Sequence, residues 1–320
     1  MQGTLRRMKL SVVICTHNPR QDYLDRTIAS IRTQARDRGE FTFELIVIDN
    51  SSLRRLEDEL DLSWHPDARV VREDRLGLSY ARLRSFEEAQ GDIIVFVDDD
   101  NVLAADYLAN VACVFSLHAE LGAIGGKSIP EYEVDPPAWF HETGLSLACR
   151  DLGDSVLSAA WSTESGGRFY PVCAPIGAGM AVRRSAYEGY IRAAALDERR
   201  LALGRRGSDL ASGEDNDIVL AILEQGWRVA YRPELLLNHL IPAGRLTQDY
   251  LERYARSANR TWVKVLDVHG ICPWTPISSW TIPIRRARAY LLTQPWRSPE
   301  RAICYMAQRG LFEGRAAIKA

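Results

Sequence analysis

One run of the sequence indicates both the fold of this chain and the position of its site: Gly91-Asp92-Ile93-Ile94-Val95-Phe96-Val97-Asp98-Asp99-Asp100. Five apolar, mostly β-branched residues predict a buried strand, and three consecutive carboxylates end it. Like charges at a strand end repel and are costly to desolvate, so a divalent cation would help to hold them together. Hard cations take oxygen ligands and share them with substrate phosphates. The run therefore predicts a metal-assisted site for a phosphorylated substrate; the alternative is a solvated acidic turn that caps the next helix.

Strands and helices alternate on the N-terminal side of this run. The predicted strands are Leu10–Cys15, Phe43–Ile48 and Arg69–Arg72, and the predicted helices are Tyr23–Gln34 and Leu78–Ala89. This order is typical of βαβ units, so we expect an α/β fold with a mostly parallel, Rossmann-like sheet flanked by helices. Polar clusters follow three of the strands, at Thr16–Asn18, Asp49–Ser52 and Asp98–Asn101. We expect these clusters to meet at one edge of the sheet.

The C-terminal side is less regular. We expect a helical segment over 101–124, a strand at Ala123–Gly126, long loops over 127–175 and a small-residue strand at Ile176–Val182. Gly and Ser among four arginines predict a mobile loop at Arg199–Gly213, interpreted as a lid. Further predictions are a helix at Asp215–Gln225, a strand at Arg228–Tyr231, a helix at 247–266 and two helices in the last fifty residues.

Composition restricts the class of protein. A chain of 320 residues with 46% apolar and 26% charged residues is typical of a globular protein. Its net charge of −2 argues against a nucleic-acid binder. The six cysteines have no metal or redox spacing and predict single thiols in a reducing compartment. No stretch approaches the roughly 20 apolar residues that span a bilayer, so we expect a cytoplasmic protein.

The turn after the first strand excludes some nucleotide folds. A dinucleotide-binding domain needs a glycine-rich turn there, and Thr16-His17-Asn18-Pro19-Arg20 has no glycine. A Walker loop is absent as well. Dehydrogenases are therefore disfavoured.

Several segments, in order, resemble glycosyltransferase family 2. Ser11–Asn18 resembles its opening strand and turn, and Leu45–Ser52 its second strand. Gly77–Arg82 is similar to the helix that follows, and Asp98–Asp100 to the acidic metal-binding motif. The remaining matches are Gly213–Asp215, similar to the catalytic-base segment, and His239. Each motif alone is weak, whereas the ordered set over residues 9–240 is specific.

The resemblance implies a GT-A fold that binds a nucleoside-diphosphate sugar and transfers the sugar with inversion. We expect a GT-A domain over 1–245, with a nucleotide-binding half at 1–126 and an acceptor half at 127–245. A helical, Trp/Arg-rich extension would occupy 246–320. The implied enzyme acts in polysaccharide or glycan biosynthesis on a glycan or lipid-linked glycan acceptor.

The resemblance also implies how the donor is held. Thr16, His17, Asn18 and Asp49 would bind the nucleobase, and a carboxylate can accept from a pyrimidine ring N–H, which suits uracil or thymine. UDP is the expected donor nucleotide, with dTDP and GDP as the alternatives. The alternative for Asp49 is an Asx-turn or helix N-cap. Many relatives carry a second acid where this chain has Asn50. Arg82 would reach the base or the phosphates; the alternative is a solvated helical arginine.

Metal and sugar contacts follow from the same motifs. Asp99 would bind the ribose, and Asp100 and His239 would hold Mn²⁺ or Mg²⁺ against the diphosphate, with Asp98 supporting these contacts. A structural histidine is the alternative for His239. Gly177 and Gly179 would allow the backbone close to the donor sugar, with a bulge as the alternative.

Acceptor-side roles are assigned in the same way. Asp215 is the predicted catalytic base, at the start of a helix whose N–H groups stabilise a carboxylate, and Glu214 lies beside it. The alternative is the ordinary enrichment of acids in a first helical turn. Trp139 would form an aromatic platform for a sugar, or else belong to the core.

The last fifty residues carry eight Lys/Arg and two Asp/Glu, a net charge of +6. Tryptophans interleaved with arginines are typical of a bilayer interface, so we consider peripheral contact of 271–320 with the inner face of the membrane. The alternative is packing on the chain's own domain or on a second subunit in a homodimer. Two other functions remain open: a sugar nucleotidyltransferase, and a catalytically silent glycan-binding scaffold.

Overall fold

A computed structural model describes residues 7–34, 41–161 and 167–318. The ends of the two predicted domains, at 1–6 and 319–320, lie outside these residues, as does 162–166 of the predicted loop region. The strands are β1 (Met8–Thr16), β2 (Phe41–Asn50), β3 (Ala68–Glu73), β4 (Ile93–Phe96), β5 (Asn101–Leu103), β6 (Leu121–Tyr132), β7 (Leu157–Ala159), β8 (Ala181–Arg183) and β9 (Arg228–Ile241). The helices are α1 (Gln21–Gln34), α2 (Leu78–Glu88), α3 (Tyr107–Leu117), α4 (Arg184–Ala194), α5 (Glu198–Leu201), α6 (Glu214–Glu224), α7 (Gln248–Val268), α8 (Ile282–Thr293) and α9 (Pro299–Ala317).

One sheet runs through the described chain in the order β3-β2-β1-β4-β8-β6-β9-β5, and β7 pairs with β9. Strands β1 to β4 are mutually parallel, as their continuous apolar runs predict for strands covered on both faces. Two apolar clusters fill those faces, one beneath α1 and α3 and one beneath α2, α4 and α6. The predicted α/β class, with helices following at the C-terminus, is confirmed.

Register in the parallel half brings the polar strand ends together. Thr16 at the end of β1 pairs with Asp49 at the end of β2. Val97, just beyond β4, donates its N–H to the carbonyl of Val13 at 2.9 Å. The residues after β4 therefore emerge beside the end of β1, which is the edge predicted to hold the site.

The later strands differ from expectation in two places. The segment 101–124 was expected to be helical, but Asn101–Leu103 is strand β5 because it pairs antiparallel with β9. Only Ala181 and Val182 of the expected strand Ile176–Val182 are extended in β8. The residues before them form a turn in which Gly179 has a φ of +74°, a conformation that favours glycine.

The C-terminal helices pack on one another and on the sheet domain. Helices α7 and α9 touch through glycines: a Cβ at Gly310 would overlap the carbonyl oxygen of Arg256. Helix α8 lies against α9 and contributes Ala289 to that interface. The division into domains 1–245 and 246–320 stays a prediction. None of the helices in the described residues is long and apolar enough to cross a membrane.

Candidate functional site

A cavity of about 530 Å³ lies at the carboxyl edge of the parallel strands. Its wall comes from the ends of β1 and β4, from α2, from the start of α6 and from β9. Most of the predicted site residues line it, namely Thr16, His17, Arg82, Asp98, Asp99, Asp100, Gly177, Glu214, Asp215 and His239. Residues far apart in the sequence are thus brought to one surface, which the strand-end argument anticipates.

The three acids after β4 have different surroundings. Asp98 is partly exposed to the cavity, whereas Asp100 is buried. Asp99 accepts a hydrogen bond from the hydroxyl of Thr16. Burial, together with the neighbouring charge of Asp100, raises the pKa of Asp99 to about 7, although the hydrogen bond from Thr16 lowers it. The acidic run therefore combines one accessible carboxylate with two that the protein holds in fixed positions.

Asp100 forms a compact cluster with His239 and Arg245. Oδ2 of Asp100 lies 3.3 Å from Nε2 of His239 and 3.0 Å from Nη1 of Arg245. Burial opposes ionisation of Asp100, but these two cationic groups lower its pKa to about 2. Burial alone would lower the pKa of His239, yet the carboxylate raises it to about 10. The pairing of Asn101 with His239 in the sheet explains why the histidine reaches the acids.

The side chains around Asp100 can be compared with the ligands that a divalent cation prefers. Carboxylate and imidazole groups from Asp98, Asp100 and His239 are ligands that Mn²⁺ accepts. Among the described residues, however, no group of three or more His, Cys, Asp or Glu side chains is already gathered closely enough to hold a metal. The guanidinium of Arg245 stands beside Asp100 instead. The carboxylate and imidazole donors are suitable ligands for a hard cation. The side chain of Arg245 would have to move away from Asp100 for the cation to bind there.

Arg82 is a buried residue rather than a solvated helical arginine. Its guanidinium carbon lies 3.8 Å from the centre of the Phe96 ring, and Nε lies 2.9 Å from Oε1 of Glu214. A second nitrogen is 3.9 Å from Asp98. Burial would lower the pKa of Arg82, but the charge of Glu214 raises it overall. Arg82 therefore links the strand-end acids to the start of α6.

The two acids that open α6 differ in accessibility. Glu214 is buried against Arg82, and burial raises its pKa to about 7 despite the opposing arginine. Asp215 is only partly buried by area and accepts hydrogen bonds from the N–H groups of Gly177 at 3.0 Å and Asn216 at 2.9 Å. Burial raises the pKa of Asp215, and these N–H groups lower it. Asp215 thus remains the more accessible carboxylate of the pair.

Four predicted residues do not line the cavity. The carboxylate of Asp49 accepts hydrogen bonds from the N–H groups of Ser52 and Leu56 and pairs with Arg72 at 2.7 Å. The other three also make structural contacts. Asn18 accepts from the N–H of Leu53, Gly179 accepts from the hydroxyl of Tyr107, and Trp139 packs on an apolar cluster that includes Phe140.

Some cavity residues were missed by the sequence reasoning. They are Arg205, Arg245, Tyr250 and Tyr254. The tyrosines stand one helical turn apart on α7 with parallel rings 6.3 Å apart, which is the i, i+4 spacing of a shared helix face. That spacing was readable in the sequence. The approach of α7 to the cavity was not, since it depends on how the C-terminal helices pack.

Comparison with protein families gives one match over more than half of the chain. The model described as "Glycosyl transferase family 2" matches residues 11–190. A glucosyl-dolichyl phosphate glucuronosyltransferase of Haloferax volcanii is 24% identical over 76% of this chain and 73% of its own length. An N-acetylglucosaminyltransferase of Rhizobium meliloti is 25% identical over 83% of this chain, which spans 59% of that relative.

Solved structures share the fold at low sequence identity. The mannosyltransferase PcManGT from Pyrobaculum calidifontis, in complex with GDP-Man and Mn²⁺, aligns with a TM-score of 0.54 and 21% identity, covering 95% of this chain and 74% of its own. The structure of S. aureus TarS 1-349 in complex with UDP-GlcNAc aligns with a TM-score of 0.53 and 13% identity, covering 96% and 90%. These similarities support the GT-A architecture of the sheet.

Proposed function

The chain belongs to glycosyl transferase family 2 and is a glycosyltransferase, and from that premise we propose that it is metal-dependent and inverting. In this proposal it moves a sugar from a nucleoside-diphosphate sugar to a hydroxyl of a glycan or lipid-linked glycan. One observation carries the proposal: a single cavity holds the acidic run Asp98–Asp100 and the accessible carboxylate of Asp215. In this cavity the acidic run would serve the diphosphate leaving group, and Asp215 would accept the proton of the acceptor hydroxyl.

The donor end of the cavity is assigned to Thr16, His17 and the acidic run. UDP is the favoured nucleotide, with dTDP and GDP as the alternatives. The neighbours TarS and PcManGT were solved with UDP-GlcNAc and with GDP-Man, so both base classes occur on this fold. Asp49 remains a predicted base ligand, although its oxygens are already bonded to Ser52, Leu56 and Arg72.

Asp100 and His239, with Asp98, would hold Mn²⁺ or Mg²⁺. When bound, such an ion neutralises charge on the departing diphosphate. The chemistry of the donors supports a cation here, and the guanidinium of Arg245, which lies 3.0 Å from Asp100, would have to move to admit it. PcManGT and GalNAc-T7, which share the fold, were solved with Mn²⁺.

Asp215 would act as the base on the acceptor side. The acceptor oxygen forms a bond to the anomeric carbon as its proton passes to a carboxylate oxygen of Asp215. The bond from that carbon to the diphosphate breaks, and its electron pair leaves with the nucleoside diphosphate. Attack opposite the leaving group inverts the anomeric carbon. Hydrogen bonds from Gly177 and Asn216 fix the carboxylate for this step.

The acceptor class rests on the relatives. One relative is named as acting on glucosyl-dolichyl phosphate, a lipid-linked sugar, and another as an N-acetylglucosaminyltransferase. We propose a lipid-linked or free glycan acceptor that enters past Tyr250 and Tyr254. The cytoplasmic setting and the homodimer remain predictions.

The test is release of nucleoside diphosphate from a panel of UDP-, dTDP- and GDP-sugars with Mn²⁺, with Mg²⁺ and with a chelator. We expect slow, metal-dependent release of UDP from one UDP-sugar, and faster release when a lipid-linked glycan is added. Release of pyrophosphate from a nucleoside triphosphate and a sugar phosphate would instead identify a nucleotidyltransferase. Binding without any turnover, in the presence of acceptors, would identify a silent scaffold.

A further inference from the structure

Helix α8 presents an apolar face to solvent. Ile284 and Leu291 are each 67% exposed and stand seven residues apart, on one side of the helix. Leu292 is 70% exposed, and Trp280, one turn before Ile284, is 75% exposed. We call the exposed residues Trp280, Ile284, Arg288, Leu291, Leu292, Trp296 and Arg297 the α8 face. Single exposed leucines are ordinary on protein surfaces, but several apolar side chains at helical spacing mark an interaction surface.

The opposite side of α8 is already packed on the protein. Ala289 is buried against α9, and the ring of Tyr290 meets the edge of Tyr305 at 5.4 Å between centroids. Arg286 on this side pairs with Glu313. Packing on the chain's own domain thus accounts for one side of α8 and leaves the α8 face uncovered. The helix is held in place with its apolar side turned away from the domain.

The positive charge around the α8 face indicates what kind of surface it would bind. No acidic residue occurs in 271–299, and Arg288 and Arg297 are exposed, with no ion pair recorded within the described part of the chain. The nearest acid along the chain, Glu300, accepts a hydrogen bond from the hydroxyl of Ser298. Arginines flanking exposed tryptophan and leucine complement an anionic bilayer. A second copy, placed by two-fold symmetry on the same face, would bring like charges together.

The second turn of α9 packs against α8 through one residue and against the start of α7 through another. The ring of Trp296 contacts Tyr290, which meets Tyr305 on α9. Ile303, two residues earlier on α9, packs in one apolar cluster with Leu251. Leu251 directly follows Tyr250, which lines the cavity. Helix α9 therefore stands between α8 and the start of α7.

We propose that the α8 face docks the protein on an anionic lipid bilayer. Its apolar side chains enter the interface between headgroups and acyl chains, and Arg288 and Arg297 lie against the anionic headgroups. This docking does not depend on which acceptor the cavity takes, since it concerns binding alone. It would hold the chain at the surface where lipid-linked glycans are found.

Sedimentation of the full chain with vesicles tests the proposal. The vesicles are phosphatidylcholine alone or a two-to-one mixture with phosphatidylglycerol. We expect binding to the anionic vesicles that weakens as salt is added, and little binding to the neutral ones. The double variant Arg288→Gln/Arg297→Gln should weaken anionic binding by roughly tenfold to thirtyfold. The double variant Ile284→Ser/Leu291→Ser should weaken it by roughly tenfold or more.

A matched control changes equally exposed apolar residues elsewhere. Leu117 and Leu196 are 73% and 91% exposed and lie outside the α8 face, so Leu117→Ser/Leu196→Ser should bind as the unaltered chain does. Loss of binding in this control as well, absence of binding to anionic vesicles, or equal binding to neutral vesicles would overturn the proposal. So would a dimer in light scattering that Ile284→Ser/Leu291→Ser converts to monomer, because the face would then join two copies.

Discussion

Breaking the buried pair of Arg82 and Glu214 by removing one partner should destabilise the protein by a large, measurable amount. Both residues are almost fully buried, and their charged atoms are 2.9 Å apart. Removing one partner of such a pair leaves an uncompensated buried charge and costs about 3–5 kcal/mol. Methionine matches the apolar stem of arginine but carries no charge, so Arg82→Met removes the guanidinium charge, which faces Glu214 and, at 3.9 Å, Asp98. It also leaves the Phe96 ring covered.

The expected magnitude can be converted to a melting temperature. For a chain of this size, 1 kcal/mol corresponds to roughly 2–4 °C, so Arg82→Met should lower Tm by roughly 6–20 °C. Arg84→Met on the same helix is the control. Arg84 forms a partly exposed i, i+4 pair with Glu88, worth about 0.3–0.5 kcal/mol, so its loss should move Tm by roughly 1–2 °C.

A double variant separates the charge from the packing. Arg82→Met/Glu214→Gln removes both charges, so it should recover to within roughly 2 kcal/mol of the unaltered protein. Thermal unfolding monitored by circular dichroism measures all three variants. The reasoning is refuted when Arg82→Met costs no more than Arg84→Met, or when the double variant is as unstable as Arg82→Met alone.

Three further predictions follow from the geometry. Gly310→Ala should lower Tm by roughly 2–10 °C, because its Cβ would overlap backbone of Arg256, whereas Gly244→Ala, which meets no atom within 4 Å, should change little. Burial raises the pKa of Asp215, and a base must be deprotonated, so turnover should fall on the acid side with a midpoint above the usual aspartate value; a midpoint below pH 4 in the pH profile would contradict this. The segment 199–213 should resist proteolysis when donor and metal are added, and unchanged cleavage there would exclude a lid.

The parallel half of the fold could be predicted because its sequence patterns are local. Apolar runs such as Leu45–Ile48 specify buried strands, and polar residues at the ends of β1, β2 and β4 meet since parallel strands share one carboxyl edge. The position of Asp98–Asp100 at the cavity follows from this rule. Asp49 shows where this rule stops. A carboxylate at the shared edge can face the cavity, or it can accept hydrogen bonds from the turn that follows its own strand, as Asp49 does from Ser52.

These local sequence patterns do not predict which strands pair when the strands are far apart in the sequence. Asn101–Leu103 has the composition of a helix start, and only its partner β9 makes it a strand. That pairing also sets Asp100 beside His239 and Arg245. Three residues are too few to show the polar–apolar alternation that predicts a strand, and the residues that follow have a helical pattern. The secondary structure of Asn101–Leu103 is therefore determined by tertiary contacts. The contribution of Tyr250 and Tyr254 depends in the same way on how α7 packs.

Comparing nucleotide binding with turnover in Asp215→Asn tests whether this carboxylate is the catalytic base. Asp249→Asn is the control, because Asp249 is an exposed acid in the first turn of α7. We expect Asp215→Asn to bind UDP with Mn²⁺ as the unaltered protein does, yet to release UDP from the sugar donor at least roughly a hundredfold more slowly, while Asp249→Asn is unchanged. Undiminished turnover in Asp215→Asn would contradict the assignment of the base and, with it, the proposed inverting transfer.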